Sequence, residues 1–374
     1  MYLSHLRLAN FRSYEALDLE LRPGTTIFCG ANGHGKTNLL EAVHVLATLT
    51  SHRVSSHGPL IREGCDCATL SARVQASATD DRALSVGLEI RQGMANKALL
   101  NRAPVRPREI IGAVRMVCFA PEDLGLVRGD PAGRRDFIDT LLITRWPRLA
   151  GVKAEFERAL KQKTALLKTL ARRGATPSDG EMIAAWNEVM ITRGSELVAA
   201  RLRSVRDLAP RVSHHYDQIA PMDSRAHLSY HSSSLDVDAS EDEIHAQLAE
   251  HSLRRRDEEI ARGVCLVGPH RDDLVLSLSG RPVKGYASHG EGWSYALAMR
   301  LASLDVLHQD GLDPILLLDD VFAELDEDRR RRVADAMESV EQRLVSVAVT
   351  SDVPGNLHAE VFHVHPGRVE EVPR

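Results

Sequence analysis

Gly30-Ala31-Asn32-Gly33-His34-Gly35-Lys36-Thr37 is the stretch that decides the fold, because it matches the phosphate-binding pattern GxxxxGK[ST] at every position. A short strand at 25–29 precedes it, and residues 38–49 follow with apolar side chains at helical spacing. A glycine-rich turn without a ligand is the alternative reading. The order strand, glycine loop and helix favours a P-loop instead.

Each residue of this loop has a predicted role in holding ATP and Mg²⁺. Lys36 is expected to neutralise the β and γ phosphates, which also makes it a catalytic candidate, and Thr37 to offer its hydroxyl to Mg²⁺. The helix after the loop adds its positive end to the same anion site. The residues expected to turn backbone N–H groups toward the phosphates are Gly30, Ala31, Asn32, Gly33, His34 and Gly35.

The composition is that of a soluble globular protein. The 374 residues suggest about two or three domains. A net charge of −5 argues against a uniformly basic coat, so any DNA contact must come from local patches. The N-terminus does not read as a signal peptide, and no apolar run approaches a membrane span. Five cysteines without a CxxC pair and dispersed histidines predict reduced thiols, no metal cluster and a cytoplasmic protein without a membrane partner.

Two acids follow a short, fully apolar run. Residues 315–318 are apolar, and Asp319 and Asp320 come directly after them. In P-loop enzymes such a strand lies beside the P-loop strand, and its terminal Asp holds Mg²⁺. We therefore expect Asp319 to be a metal-side carboxylate and Asp320 to orient or deprotonate the attacking water. A solvated acidic turn is the alternative, but the upstream P-loop favours the metal site.

A second anion-binding element is predicted at Ser288 and Gly290, which open an apolar-faced helix. The element is similar to the Ser-Gly-Gly-Gln signature of ABC ATPases, which faces the γ-phosphate held by the other subunit. Whether His289 and Glu291 touch nucleotide is left open. Residues 323–326 resemble the D-loop that crosses between ABC subunits.

The order of these elements is that of an ABC ATPase. One chain has one P-loop and one signature, so complete sites need an ATP-dependent homodimer. The expected fold class is α/β, an ABC-type P-loop ATPase head of mixed sheets with flanking helices and an inserted helical arm domain. The expected domains are the N-terminal head with the P-loop (1–125), the arm (126–261), and the C-terminal head with signature, Walker B and D-loop (262–374).

Hydrophobic periodicity supports this division. Helices are predicted at 151–173 and at 181–208, with a Gly/Pro/Ser break between them. Further strands are predicted at 83–90, 114–119, 264–267, 274–278 and 344–349.

Several blocks resemble the RecF family of bacterial DNA repair proteins, relatives of SMC proteins. The blocks are NFRSY (10–14), GANGHGKTNLLEA (30–42), FAPEDL (119–124), GRRDFID (133–139), GPHRDD (268–273) and LLLDDVF (316–322). The resemblance implies an ATP-driven dimer that binds single-stranded or gapped DNA without sequence preference. It also implies RecO and RecR as partners in recombinase loading, and a role in the SOS response.

Basic residues concentrate in the predicted arm. Residues 148–173 contain eight basic and two acidic side chains. Further basic residues are Arg134, Arg135, Arg201, Arg203, Arg206 and Arg254–Arg256. A solvated helical face is the alternative interpretation, and the family resemblance favours DNA. Because aromatic residues are scarce, contact with the DNA backbone is expected rather than base stacking.

The chain also departs from the family pattern. The signature lacks a glutamine-rich run with an Arg, and Thr350–Asp352 stands where a switch histidine is usual. Glu122 is only a positional candidate for the Q-loop residue, with an assigned catalytic role. These departures predict a weak, DNA-stimulated ATPase. The alternatives are the nucleotide-binding subunit of an ABC transporter and an SMC-like scaffold in which ATP only controls dimerisation.

Overall fold

The computed structural model describes residues 1–174, 176, 179–220, 225–354 and 357–372. In chain order, the strands are β1 (Tyr2–Phe11), β2 (Tyr14–Glu20), β3 (Gly24–Cys29), β4 (Cys67–Ser77), β5 (Asp80–Arg91), β6 (Lys97–Leu100), β7 (Ala103–Val105), β8 (Met116–Phe119), β9 (Ala226–His231), β10 (Asp273–Leu278), β11 (Arg281–Pro282), β12 (Ile315–Asp319), β13 (Gln342–Val347), β14 (Ala359–His365) and β15 (Arg368–Glu371). The α-helices are α1 (Lys36–Thr48), α2 (Leu124–Arg128), α3 (Pro131–Arg145), α4 (Leu149–Arg173), α5 (Asp179–Ile219), α6 (Glu241–Arg254), α7 (Arg256–Arg262), α8 (His289–Gln309) and α9 (Glu327–Ala336).

The chain divides into two compact units. The first, which we call the head unit, comprises residues 1–127, 211–225 and 287–374. The second, the arm unit, comprises residues 128–210 and 226–286. The division differs from the expected boundaries in three places, because 126–127 and 211–225 lie in the head unit and 262–286 lies in the arm unit.

Two six-stranded sheets build the head unit. One has the order β2-β1-β4-β5-β6-β7 and is antiparallel throughout. The other has the order β15-β14-β3-β13-β12-β8 and is parallel apart from its edge strand β15. Helix α1 contributes to the core together with residues of both sheets. The expectation of mixed sheets with flanking helices is confirmed.

Burial explains why β8 and β12 are short, continuous apolar runs. Every residue of β8 and of β12 is buried, although β8 is the last strand of its sheet, as expected for strands that are covered on both faces. One expectation is wrong, however. The strand that carries Asp319 does not lie beside the P-loop strand β3, because β13 pairs with both and separates them.

The arm unit has its own core, formed by apolar residues of α3, α4, α5 and the segment around Cys265. Helix α5 is 41 residues long and continues past Pro210, whereas periodicity placed its end at 208. The expected strand at 264–267 is absent from the described structure. There the Leu266 N–H donates to Glu259 Oε1 at 2.7 Å, so a side chain replaces a strand ladder.

Within the described residues, we find no helix with the length and apolar character needed to traverse a bilayer.

Candidate functional site

The P-loop connects β3 to α1 and leaves no room for side chains at two of its glycines. A Cβ at Gly30 would lie 2.4 Å from the Val364 carbonyl oxygen. Gly35 has φ +107°, and a Cβ there would lie 2.8 Å from Ser13 Oγ. Glycine is therefore required for both backbone approach and conformation. Ala31, Asn32 and Gly33 are exposed at the tip of the loop.

The loop holds its own lysine. Lys36 is buried, and its Nζ donates to the Gly30 carbonyl oxygen at 2.8 Å. The Ala31 carbonyl oxygen and Asn32 Oδ1 each lie 3.4 Å from the same nitrogen. His34 Nδ1 lies 3.1 Å from the Val364 carbonyl oxygen, which attaches the loop to β14. The ammonium group is thus preplaced inside the curve of backbone that an anion would enter.

Two hydroxyls converge on one carboxylate oxygen beside this loop. Thr37 Oγ1 donates to Asp319 Oδ1 at 2.9 Å, and Ser346 Oγ donates to the same oxygen at 2.6 Å. Asp319 is buried, and this burial raises its pKa above the ordinary value, while both hydrogen bonds oppose the rise. A buried carboxylate bonded to neutral hydroxyls can accept a cation.

Asp320 occupies a strained corner directly after β12. Its φ is +49°, in the left-handed region that few residues other than glycine adopt. Its backbone N–H donates to Ser346 Oγ at 3.0 Å, while its Oδ1 is buried without a hydrogen-bond partner. An unpaired buried oxygen costs about 1–3 kcal/mol, so the site retains an acceptor for a ligand or water.

Glu122 lies in a 3-10 turn after β8, the strand that pairs with β12. Its side chain is exposed. The neighbouring Asp123 is the residue anchored in the fold, because Arg300 donates to both of its oxygens at 2.6 and 3.1 Å. The catalytic assignment of Glu122 therefore stays a prediction from position.

The signature element caps α8. Ser288 Oγ accepts from the Glu291 N–H at 3.3 Å, and Glu291 Oε2 accepts from the Ser288 N–H at 2.8 Å. Hydrogen bonds from Ser288 to the Glu291 carboxylate, chiefly from its backbone N–H, hold the pKa of Glu291 below its ordinary value. Ser288 and His289 are exposed, and a Cβ at Gly290 would lie 3.3 Å from an Arg329 nitrogen. In the described residues, no hydrogen bond joins Ser288 or Gly290 to the P-loop.

The structure thus brings Lys36 together with the Gly30 and Ala31 carbonyls, and Thr37 together with Asp319. Ser346 was missed from sequence, although a serine inside the apolar run of β13 is a usable signal. The block NFRSY (10–14) was identified from sequence as a family resemblance, but its structural role was not predicted. It braces α1: Arg12 donates to both oxygens of Glu41 at 2.6 and 2.8 Å.

That brace has two further contacts. Asn38 Nδ2 donates to Ser13 Oγ at 2.9 Å, and Tyr14 OH donates to the Gly35 carbonyl oxygen at 3.1 Å. Burial alone would raise the pKa of Glu41, but hydrogen bonds from Arg12 and Ser51 hold it below its usual range. The first turns of α1, and with them the P-loop, are therefore fixed from outside.

Some of the basic residues expected to face DNA are structural instead. Arg201 is buried and donates to both oxygens of Asp139 at 2.8 and 3.0 Å. Arg134 is buried and donates to both oxygens of Asp273 at 2.8 Å. For these two arginines the expected DNA-facing role is wrong, because a buried arginine must be paired.

Other basic residues do form an exposed face. Arg158, Lys161, Lys168 and Arg172 are exposed along α4. At 100° per residue, their spacings of 3, 7 and 4 place them within roughly one quarter of the helix circumference. We call these four residues the α4 basic face.

The fold and the convergence of the P-loop on Asp319 define the class, an ABC-type P-loop ATPase head with a helical arm. A family model described as the RecF/RecN/SMC N terminal domain matches residues 2–360. Two proteins called DNA replication and repair protein RecF match nearly full length. That of Cutibacterium acnes is 46% identical, covering 99% of this chain and 98% of the relative. That of Streptomyces avermitilis is 48% identical, covering 100% of both. The chain therefore belongs to the RecF family of DNA replication and repair proteins.

Solved structures agree on the fold. A structure of the recombination mediator protein RecF with ATP, in the RecFOR pathway, has a TM-score of 0.90 at 24% identity, covering 100% of this chain and 98% of that one. An Smc head domain from Pyrococcus furiosus has a TM-score of 0.57 at 17% identity, covering 99% and 96%.

Proposed function

We propose that this chain is an ATP-dependent DNA-binding protein of replication and recombinational repair, in which ATP drives two head units together. The hydrogen bond between Thr37 and Asp319 is the observation that carries the proposal. It joins the residue after the P-loop lysine to the acid at the end of β12, as Mg²⁺-ATP binding requires. The RecF structure with ATP supports the same ligand.

The residues around Asp319 fit a magnesium ion. Thr37 and Asp319 offer hydroxyl and carboxylate oxygens, and the unpartnered Oδ1 of Asp320 is a further hard acceptor nearby in sequence. Bound Mg²⁺ supplies charge neutralisation on the β and γ phosphates. When ATP binds, the Lys36 ammonium group gives up its hydrogen bond to the Gly30 carbonyl oxygen and binds phosphate oxygens instead. Asp320 orients the attacking water. Glu122 contributes to catalysis from the 3-10 turn that follows β8, the strand beside β12.

Completion of the site is assigned to a second chain. Ser288 and Gly290 lie at the exposed start of α8, where the N–H groups of a helix attract anions. In the proposed dimer this helix end closes on the nucleotide held by the partner's P-loop. Hydrolysis then releases the two chains, at a weak rate that DNA stimulates.

DNA binding is assigned to the arm unit. The α4 basic face presents four cations and lacks aromatic side chains, which supports contact with phosphates without sequence preference. Single-stranded or gapped DNA is the proposed ligand. The RecFOR context of the solved relative supports RecO and RecR as partners in recombinase loading, and with them a cytoplasmic role in the SOS response.

One observation favours a second candidate, an SMC-like scaffold in which ATP controls dimerisation without turnover. Asp352, in the segment after β13 where a switch histidine is usual, is paired with Arg330 at 3.3 Å. Phosphate release with ATP and DNA present separates the two functions, because the scaffold gives none. Family membership argues against the transporter subunit considered from sequence.

The experiment that tests the proposal is sedimentation with and without ATP. Lys36→Ala is expected to abolish nucleotide-dependent dimerisation, and Ser288→Arg to block dimerisation while ATP binding stays within about threefold of wild type. Ser240→Arg is the matched control, because Ser240 forms the same capping box with Glu243 at α6 of the arm unit. An unchanged dimer in Lys36→Ala, or loss of ATP binding in Ser288→Arg, contradicts the assignment.

A further inference from the structure

Three potential metal ligands gather in the head unit beside the proposed nucleotide site, close enough to Asp319 for its charge to act on His52. His44 lies on α1, His52 follows that helix, and Cys118 lies on β8. Their ligand atoms all lie within 4.8 Å of one another. The thiol is buried and both histidines are half-buried. None of the three has a role in the proposed ATP chemistry.

The two imidazoles lack the hydrogen bonds that buried histidines normally make. His44 Nδ1 and both ring nitrogens of His52 are buried without a partner. The ring centroids are 4.9 Å apart at an interplanar angle of 59°. An unpaired buried polar atom destabilises a fold, and here three such atoms lie in one place. A bound cation would use the lone pairs that the protein leaves vacant.

Both rings are suited to bind a metal as neutral imidazoles. Burial lowers the pKa of His44 well below its ordinary value, and burial also lowers that of His52. The Arg300 charge opposes protonation of His44. The carboxylates of Asp319, Glu41 and Asp123 favour protonation of His52, and the Arg53 charge opposes it. Burial raises the pKa of the Cys118 thiol, so a cation must displace its proton on binding.

We propose that His44, His52 and Cys118 form a binding site for a transition-metal dication of the Zn²⁺ class, with an exchangeable water as fourth ligand. Two imidazoles and a thiolate are the ligands that Zn²⁺ selects and Mg²⁺ avoids. Tetrahedral Zn²⁺ with these ligands places the donor atoms about 3.3–3.7 Å apart. Because the ligand atoms lie within 4.8 Å of one another, they need to approach by no more than about 1.1–1.5 Å to reach that spacing.

Occupation of this site links two elements of the nucleotide site. α1 begins at Lys36, and β8 pairs with β12, which carries Asp319. A metal bridge between His44 and Cys118 therefore ties the helix after the P-loop to the strand beside the acidic one. The expected consequence is a more heat-stable head unit, and it does not depend on ATP.

The test uses the full chain without a histidine tag, stripped by a chelator and titrated with Co²⁺ in the absence of nucleotide. One equivalent is expected to produce a thiolate-to-cobalt charge-transfer band, which Zn²⁺ then removes. Cys118→Ser is expected to lose the band. Cys265→Ser, which changes another buried thiol, keeps it. Absence of the band in wild type, or its survival in Cys118→Ser, overturns the proposal.

A second variant covers the case in which Cys118→Ser does not fold. His52→Ala is expected to weaken Co²⁺ binding at least tenfold and to lose the Zn²⁺-dependent rise in Tm. His57→Ala is the matched control, because the His57 ring nitrogens are already engaged by Leu49 O and Asn96. An equal Tm rise in His52→Ala and wild type overturns the site.

Discussion

Two buried aspartates, Asp319 in the head unit and Asp139 in the arm unit, meet different partners. Asp139 receives two hydrogen bonds from Arg201, and Lys153 lies 3.2 Å away. Asp319 receives its hydrogen bonds from the hydroxyls of Thr37 and Ser346. Both side chains are almost inaccessible, at 4% and 2% exposure, so burial alone does not distinguish them.

The difference appears in their acidity. Burial pushes the pKa of Asp139 upward, but the Arg201 charge and its hydrogen bonds hold it below the ordinary value. Burial dominates at Asp319 and raises its pKa. A carboxylate with its own arginine is a structural element, whereas one bonded only to hydroxyls retains its affinity for an added cation. Sequence motifs do not separate these roles, because both acids lie in blocks that resemble the RecF family.

The largest effect is expected from breaking the arm pair. Arg201→Ala leaves Asp139 buried beside only Lys153, and should lower the free energy of unfolding by about 3–5 kcal/mol. Chemical denaturation measures this. Arg206→Ala, an exposed arginine on the same helix, should stay within about 0.5 kcal/mol of wild type. Equal effects of the two variants would show that the Asp139 pair is not structural.

The second largest effect is expected in the head unit, where the buried acid itself is replaced instead of its partner. Asp319→Asn removes a buried charge that is paired with no lysine or arginine in the described part of the chain, so the nucleotide-free protein should be as stable as wild type or about 1 kcal/mol more stable. The Tm rise caused by Mg²⁺-ATP should be lost. Thermal unfolding with and without Mg²⁺-ATP measures both. A strongly destabilised nucleotide-free variant would place Asp319 with Asp139 among structural acids.

The two acids should also give pH dependences of opposite sign. Asp139, with a lowered pKa, contributes stability that is present above its unfolded pKa and is lost as pH falls through its folded pKa. Asp319, with a raised pKa, lowers stability as pH rises from its unfolded toward its folded pKa. The stability difference between wild type and Asp139→Asn should therefore shrink in acid, whereas for Asp319→Asn the relative stability of wild type should improve in acid.

The smallest effect concerns the exposed cations of the arm. Lys161→Ala on the α4 basic face should leave the free energy of unfolding within about 0.5 kcal/mol and reduce the slope of log affinity for DNA against log salt by about 1. Fluorescence anisotropy with single-stranded, duplex and gapped DNA measures this. Lys97→Ala, an exposed lysine of β6, serves as the control. An unchanged slope in Lys161→Ala removes α4 from the interface.

Local patterns predicted the elements well, because short range chemistry determines them. The P-loop, α1 and the buried strands β8 and β12 follow from glycine spacing and apolar runs. The continuation of α5 beyond Pro210 was missed, since tertiary packing can outweigh the helix-breaking tendency of a single proline.

Long-range pairings were not predictable in the same way. The position of β13 between β3 and β12 depends on strand order, which hydrophobic periodicity does not encode. The pairing of Arg201 with Asp139 and the meeting of His44 with Cys118 join residues far apart in sequence. Counting basic residues along the chain therefore assigned Arg201 to DNA binding when it is paired with Asp139. Counting histidines and cysteines did not reveal that His44 and Cys118 lie together.

The backbone at Asp320 bears on which acid can stand there. This chain has aspartate there, at φ +49°. A short side chain that can bond to its own backbone tolerates left-handed geometry better than a longer one. The identity of the second acid is thus governed by the curvature of the chain at the end of β12 as well as by reach. A glutamate introduced there would reach one methylene further, but it would adopt the left-handed backbone conformation less readily.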